Sequence, residues 1–169
     1  IDNGIDYYVY DENNFLIEEY DTNGKHVYYQ NDSQGKVIKK AVQKDGVTPT
    51  EDQIANLSFE AFYITLYQYD SKGNQTLIAE LKEDAIPSAE QLASLDSAVF
   101  NKTIYTYNTD GTVNSVQYVN ENKREDYAYD SYKNLLSVTY TETVNGVATT
   151  NTSSYQYDAL GQLLNQTDV

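Results

Sequence analysis

Cysteine, methionine and tryptophan are all absent from this 169-residue chain. Without cysteine there is no disulfide framework and no thiolate metal site. That absence fits any redox compartment. Proline occurs twice and histidine once. Basic residues are scarce too: 11 Lys and Arg stand against 26 Asp and Glu, a formal net charge of -15. A field of that sign repels phosphate, which argues against nucleic acid and against anionic membrane surfaces as partners. No apolar run approaches the roughly 20 residues that span a bilayer. The chain starts at Ile1 with no signal-like apolar stretch, so it reads as a processed chain or an excised piece. Its length suits one ordinary domain with a core of its own, residues 1–169.

Tyrosine is plentiful, at 18 residues, and it falls in a recurring phrase, Tyr-x-Tyr-Asp-x-x-Gly. The phrase is complete from Tyr67 and Tyr69 through Asp70 to Gly73, and from Tyr155 and Tyr157 through Asp158 to Gly161. A near copy runs from Tyr105 and Tyr107 through Asn108 to Gly111. Looser copies begin at Tyr8 and Tyr10 (Asp11, with Asn14 in the glycine place) and at Tyr127 and Tyr129 (Asp130, with Lys133 there). Reduced copies keep only the turn, at Asp21 to Gly24 and Asp32 to Gly35. The physics is local. Asp or Asn opening a turn accepts hydrogen bonds from backbone N–H groups further on. Glycine three residues later takes the left-handed conformation without steric cost. Together these make a hairpin loop built on a type I turn. Asn14 suits that place, whereas Lys133 suits it less and suggests a different loop. Leu16, Val37, Val113, Leu135 and Leu163 sit two residues past the glycine place, on the outgoing strand. Asp45-Gly46 and Asn145-Gly146 add two-residue hairpin signals.

A second repeat overlies the first. Shifting the chain by 38 residues lays 49–73 on 87–111 with nine identities, among them Pro49/Pro87, Leu57/Leu95, Phe62/Phe100 and Tyr67/Tyr105. Each unit opens on a capping box, Thr50-x-x-Gln53 and Ser88-x-x-Gln91. Ile54, Leu57 and Ala61 follow at helical spacing, as do Leu92, Leu95 and Val99. The expected fold is therefore mainly β. It is an antiparallel meander of about ten to twelve short strands, with two short helices, about 50–60 and 88–98, packed on one sheet face.

With these phrases laid out, the chain resembles the YD-repeat (Rhs-like) family of bacterial wall, adhesion and toxin-shell proteins and animal teneurins. Tyr69-Asp70 to Gly73 and Tyr157-Asp158 through Gly161 to Leu163 carry the resemblance best. It implies an extracellular or cell-surface setting, bacterial in the first instance, and a structural or adhesive role. The self-cleaving segment of large toxin-shell members has no counterpart, and Arg124 is the only arginine. The ends offer a further expectation. Joining Val169 to Ile1 would separate Asp158 and Asp11 by 22 residues, the spacing of Asn108 and Asp130, with an Asp2-Asn3-Gly4 turn at the joint. That suggests end-to-end continuation, as a tandem segment or a fibre subunit.

Catalytic and metal readings are weak. His26, the sole histidine, reads as an ordinary strand residue. Glu18/Glu19 and Glu83/Asp84 are neighbours that point to opposite sides of a strand, so neither pair converges as a glycosidase pair must. Asp21-Thr22-Asn23-Gly24 lacks the ligand density that calcium needs. No cofactor or metal is expected. The tyrosine pairs Tyr8/Tyr10, Tyr67/Tyr69, Tyr105/Tyr107, Tyr127/Tyr129 and Tyr155/Tyr157 form ladders on one face, either as core or as a platform for sugar rings. Gln68, Thr106, Ala128 and Gln156 between them are polar or small. The tyrosine face is thus the one expected to lie buried beneath the helices. Six Asn-x-Ser/Thr sites, at Asn31, Asn56, Asn74, Asn101, Asn151 and Asn165, follow from the abundance of those residues. The partners expected are a second copy, through sheet edges or ends, or surface glycans and proteins.

Overall fold

The computed structural model describes residues 7–168. Twelve strands follow one another in chain order within one antiparallel sheet. They are β1 (Tyr7–Tyr10), β2 (Leu16–Tyr20), β3 (His26–Asn31), β4 (Val37–Gln43), β5 (Phe62–Tyr69), β6 (Gln75–Leu81), β7 (Phe100–Tyr107), β8 (Val113–Tyr118), β9 (Lys123–Tyr129), β10 (Leu135–Val144), β11 (Val147–Tyr157) and β12 (Leu163–Asp168). Helix α1 (Glu51–Asn56) lies between β4 and β5, and α2 (Ala89–Ser94) between β6 and β7. The chain divides into two compact units, Ile1–Gln68 with Ile78–Asn101, and Tyr69–Leu77 with Lys102–Val169.

One loop makes seven of the connections. At each, the backbone N–H of the opening Asp or Asn donates to the carbonyl four residues on, and its carbonyl accepts from the residue in the glycine place. At Asp11, Asp21, Asp32, Asp70, Asp130 and Asp158, Oδ1 also accepts the N–H groups two and four residues later, at 2.8–3.0 Å. Asn108 differs: its amide donates to the Thr112 hydroxyl, while Asp110 accepts the Thr112 N–H. The glycine places are left-handed, with φ from 77° to 91° at Gly24, Gly35, Gly73, Gly111 and Gly161. Asn14 and Lys133 take φ of 64° and 69°. Lys133 thus closes the same loop as its glycine counterparts, not a different one.

The residues just outside the loop are equally regular. Tyr10, Asn31, Tyr107, Tyr129 and Tyr157 pair directly with Leu16, Val37, Val113, Leu135 and Leu163. The register then shifts, leaving Ile17, Ile38, Asn114, Leu136 and Leu164 as the extra residues of bulges. A bulge strengthens the local twist and re-aims the strand that carries it.

The helices are six residues each, shorter than expected, because a left-handed leucine stops each one. Leu57 (φ 45°) and Leu95 (φ 48°) return their N–H groups to the last turn, and both capping boxes are formed. The 38-residue correspondence also reaches further back than the identities show. Ala41 and Ala79 are both fully buried, as are Phe62 and Phe100. Lys44 Nζ donates to the Phe59 carbonyl as Lys82 Nζ does to that of Ser97. Asp45-Gly46 is not a two-residue hairpin. It turns the chain toward α1, and Gln43 pairs instead with Phe62. Asn145-Gly146 does form one, between the directly paired Val144 and Val147.

The core of the first unit is Ala41, Ala61, Phe62 and Ile64, packed against Ile54 and Leu57 from around α1. Ala41 pairs with Ile64, so both project from the face that α1 covers. Tyr67 and Tyr69 stand at odd positions of β5, and Phe62 and Ile64 at even ones. The tyrosine pair therefore lies on the face opposite α1, contrary to the expected burial beneath the helices. Alternation along β5 alone decides this.

Two substitutions test the loop. Lys133→Gly relieves the left-handed strain and should raise unfolding free energy by up to about 1 kcal/mol in urea titration. Gly35→Ala should destabilise, because a Cβ there would come within 2.5 Å of the Phe15 ring at φ +80°.

Candidate functional site

Two faces of the first unit carry different aromatic arrays. On the tyrosine-pair face, Tyr8 sits opposite Glu19, whose carboxylate accepts the Tyr29 hydroxyl at 2.7 Å. Lys40 lies over the Tyr29 ring, 5.9 Å from its centroid. Burial, followed by the bond to Glu19, holds the Tyr29 phenol well above its ordinary range. Tyr8 and Tyr10 are about half exposed.

The helix face carries a row that the repeat phrase does not announce. Tyr7 stacks on Tyr20 at 4.9 Å, Tyr20 on His26 at 5.0 Å, and His26 on Tyr28 at 5.8 Å. Tyr28 meets Phe62 edge-on at 5.5 Å. His26 Nδ1 lies 2.6 Å from Glu18. The sole histidine is thus the middle ring of a five-ring row, and not merely one more strand residue. Burial first, with Glu18 second, pushes the Tyr28 phenol up to about 12. The alternation Glu18-x-Tyr20 facing His26-x-Tyr28 was the signal available for it. The same alternation separates Glu18 from Glu19, which serve opposite faces.

In the second unit, Tyr105, Tyr107, Tyr127, Tyr129, Tyr155 and Tyr157 are all half-buried, while Thr106, Ala128 and Gln156 between them are exposed. Val116 pairs with Tyr105 and Val138 with Tyr127, and both valines are buried. Rings flanking short valines make a thin apolar layer here. The Tyr107 hydroxyl donates to the Gln75 carbonyl at 2.8 Å, and that of Tyr127 to Glu125.

On that face two rows of side chains cross from β8 to β11. One runs Val116, Glu125, Tyr140, Asn151, and the other Tyr118, Lys123, Glu142, Thr149. All of them but the buried Val116 line a shallow depression of about 230 Å3. Tyr140 is 44% exposed. Burial and then the Glu125 charge raise the Tyr118 phenol. Neither tyrosine belongs to a Tyr-x-Tyr pair, so the repeat gave no reason to single them out. Among the described residues no group of three or more His, Asp or Glu could hold a metal ion. Asp21 is occupied by its own turn, and Glu83 and Asp84 form the bend that follows β6. No helix of the described residues is long and apolar enough to cross a membrane.

No family model and no curated protein matches the chain. Its fold is found in solved toxin-complex structures. A TcdB2–TccC3–Cdc42 crystal structure matches with a TM-score of 0.52 and 18% identity, over 100% of this chain and 9% of that one. TcdB2–TccC3 without its hypervariable C-terminal region gives 0.53, at the same identity and coverage. The Photorhabdus luminescens Tc holotoxin pore gives 0.50 at 18% identity, over 96% of this chain and 9% of that chain. The chain therefore spans about a tenth of the length of the chains it matches, and the likeness is one of fold.

Two expectations follow. Backbone N–H groups, those of Lys25 and Lys36 foremost, hold Asp21 and Asp32 below the ordinary 3.8. At Asp70 and Asp130 the amides of Asn74 and Asn134 are the main cause. Carboxyls with lowered folded pKa stabilise above their unfolded value and lose that contribution as pH falls through the folded one. The urea midpoint should therefore drop from about pH 4 downward, and Asp70→Asn with Asp130→Asn should flatten that drop. In the aromatic row, His26→Ala should cost about 1 kcal/mol or more in urea titration, and His26→Phe much less.

Proposed function

We propose that this chain is a non-enzymatic structural segment of an extracellular YD-type repeat protein. In this reading it acts as a single domain, a panel of sheet that continues by pairing its outer strands with further strands of the same kind. The recurrence of one loop at seven places in one sheet carries the proposal, and at five of them the loop is followed by a directly paired residue and a bulge. Such repetition specifies a surface that can be extended, and it assembles no reacting groups. The toxin-complex neighbours support it in kind, since the likeness takes in nearly all of this chain but a small part of each far longer one. They also support protein assembly as the setting, secreted and bacterial.

The outer strands favour pairing. β1 and β12 each have one neighbour among the described strands. Neither holds the lysine or proline with which proteins protect an edge. Tyr7, Tyr8, Leu163 and Leu164 there are exposed. The Asp2–Gly4 turn that a joint of the two ends would use lies outside the described residues. Sugar binding by the tyrosine pairs is the second reading. The half-burial of four of the five pairs weighs against them as a platform, and a different tyrosine site is taken up below.

Negative-stain electron microscopy across a concentration series tests the edge reading. Filaments with a regular axial repeat are expected, and Val9→Lys, which places a charge on the β1 edge, should abolish them. Dispersed particles at every concentration would rule out self-addition of this chain.

A further inference from the structure

The depression on the second unit has the chemistry of a small recognition site. Its strands β8 to β11 are each paired on both sides, so no backbone edge is open to an added peptide. Whatever binds must be read by side chains alone. Its charges are internally opposed: Lys123 lies 3.0 Å from Glu121 and is also drawn to Glu142. Arg124 is held by Asp126 at 2.6 Å. An anion would meet Glu125 and Glu142, and a cation would have to displace Lys123, so an uncharged ligand fits best. The volume of about 230 Å3 falls below the roughly 300–1,000 Å3 of drug-sized pockets and suits one small ring. Tyr118 and Tyr140 supply flat apolar surface, and Glu125, Lys123 and Asn151 supply acceptors and donors around it. The Tyr127 hydroxyl, bonded to Glu125, fixes that carboxylate in place. No hydrogen bond among the described residues engages the Tyr140 hydroxyl or the Asn151 side-chain amide.

We propose that this depression binds one neutral pyranose unit of a glycan, its apolar face on Tyr140 and its hydroxyls on Glu125, Lys123 and Asn151. The combination of an aromatic face, balanced charge and several polar groups in a small open space is what an uncharged, many-hydroxyl ring requires. The site lies within internal strands and needs no sheet-edge contact, so it stands or falls separately from self-assembly.

The test is an NMR titration of the purified chain with methyl glucosides, methyl galactoside and N-acetylglucosamine, following tyrosine-ring and side-chain amide signals. At least one sugar should give saturable shifts at Tyr140 and Asn151, with Kd on the order of millimolar. Tyr140→Ala should weaken it by about tenfold, and Tyr140→Phe much less. Asn151→Ala, an exposed change, should also weaken it and decides the matter should Tyr140→Ala misfold. Tyr132→Ala, at an 85% exposed ring on a turn, should change nothing. Val9→Lys should bind as the parent does. Absence of saturable shifts with all the sugars, or binding indifferent to Asn151→Ala and Tyr140→Ala, overturns the proposal.

Discussion

The fold depends on one carboxylate oxygen doing two jobs. At six turns the Asp Oδ1 takes the N–H groups two and four residues ahead, while the Asp backbone bonds across the same loop. Those N–H groups face into the bend and would otherwise need water. Because Asp satisfies them from inside, each loop is complete with no help from the rest of the chain. It sets the register of its hairpin, and register decides which residues share a face. The Asn108 turn supports this view: with an amide in place of the carboxylate, Asp110 takes over the Thr112 N–H. The bond is kept though the residue that makes it moves.

A sheet specified in this way needs little core. The buried hydrophobic residues among those described are Ala41, Ala61, Phe62, Ile64, Ala79, Phe100, Val116 and Val138, three of them alanines. The tyrosines account for the shortfall. At Tyr29, Tyr107 and Tyr127 the ring is half-buried in the sheet while its hydroxyl reaches a carbonyl or carboxylate. Where a helix is present, as over Phe62, the core is conventional. In the second unit the rings themselves shield Val116 and Val138. The acidic composition is then partly structural, since Glu18, Glu19 and Glu125 each engage a ring on their own face.

Local features were legible from sequence and relations between strands were less so. The loops, the meander, both capping boxes and the Asn145-Gly146 hairpin all rest on interactions within a few residues. The exact helix ends escaped because a leucine rarely takes the left-handed conformation, and Leu57 and Leu95 both do. The burial of the tyrosine face was misjudged for a different reason. Polar residues between the rings indicate that one side is wet, but not which side a helix will choose. That choice depended on Phe62 and Ile64 lying one step out of phase with Tyr67. The row through His26 and the depression at Tyr140 both require knowing which strands pair and in what register, and no single strand contains that information.

The register also explains how one sheet can combine a structural role with a recognition site. Hairpins that each complete their own loop contribute stability largely independently, as repeats do. Side chains far from the turns are then free to vary without loss of fold. Tyr118, Tyr140 and Asn151 lie in the middle or far reaches of β8, β10 and β11, away from the Asp loops and their closing pairs. β10 and β11 are the longest of the described strands, at 10 and 11 residues, and they extend beyond what the YD loops at their other ends require. Their extra length is closed by Asn145-Gly146, a hairpin outside the repeat. The β10 and β11 members of the two rows, Tyr140, Glu142, Thr149 and Asn151, lie toward this end of the two strands. The part of the sheet that departs furthest from the repeat is therefore also the part that offers a site.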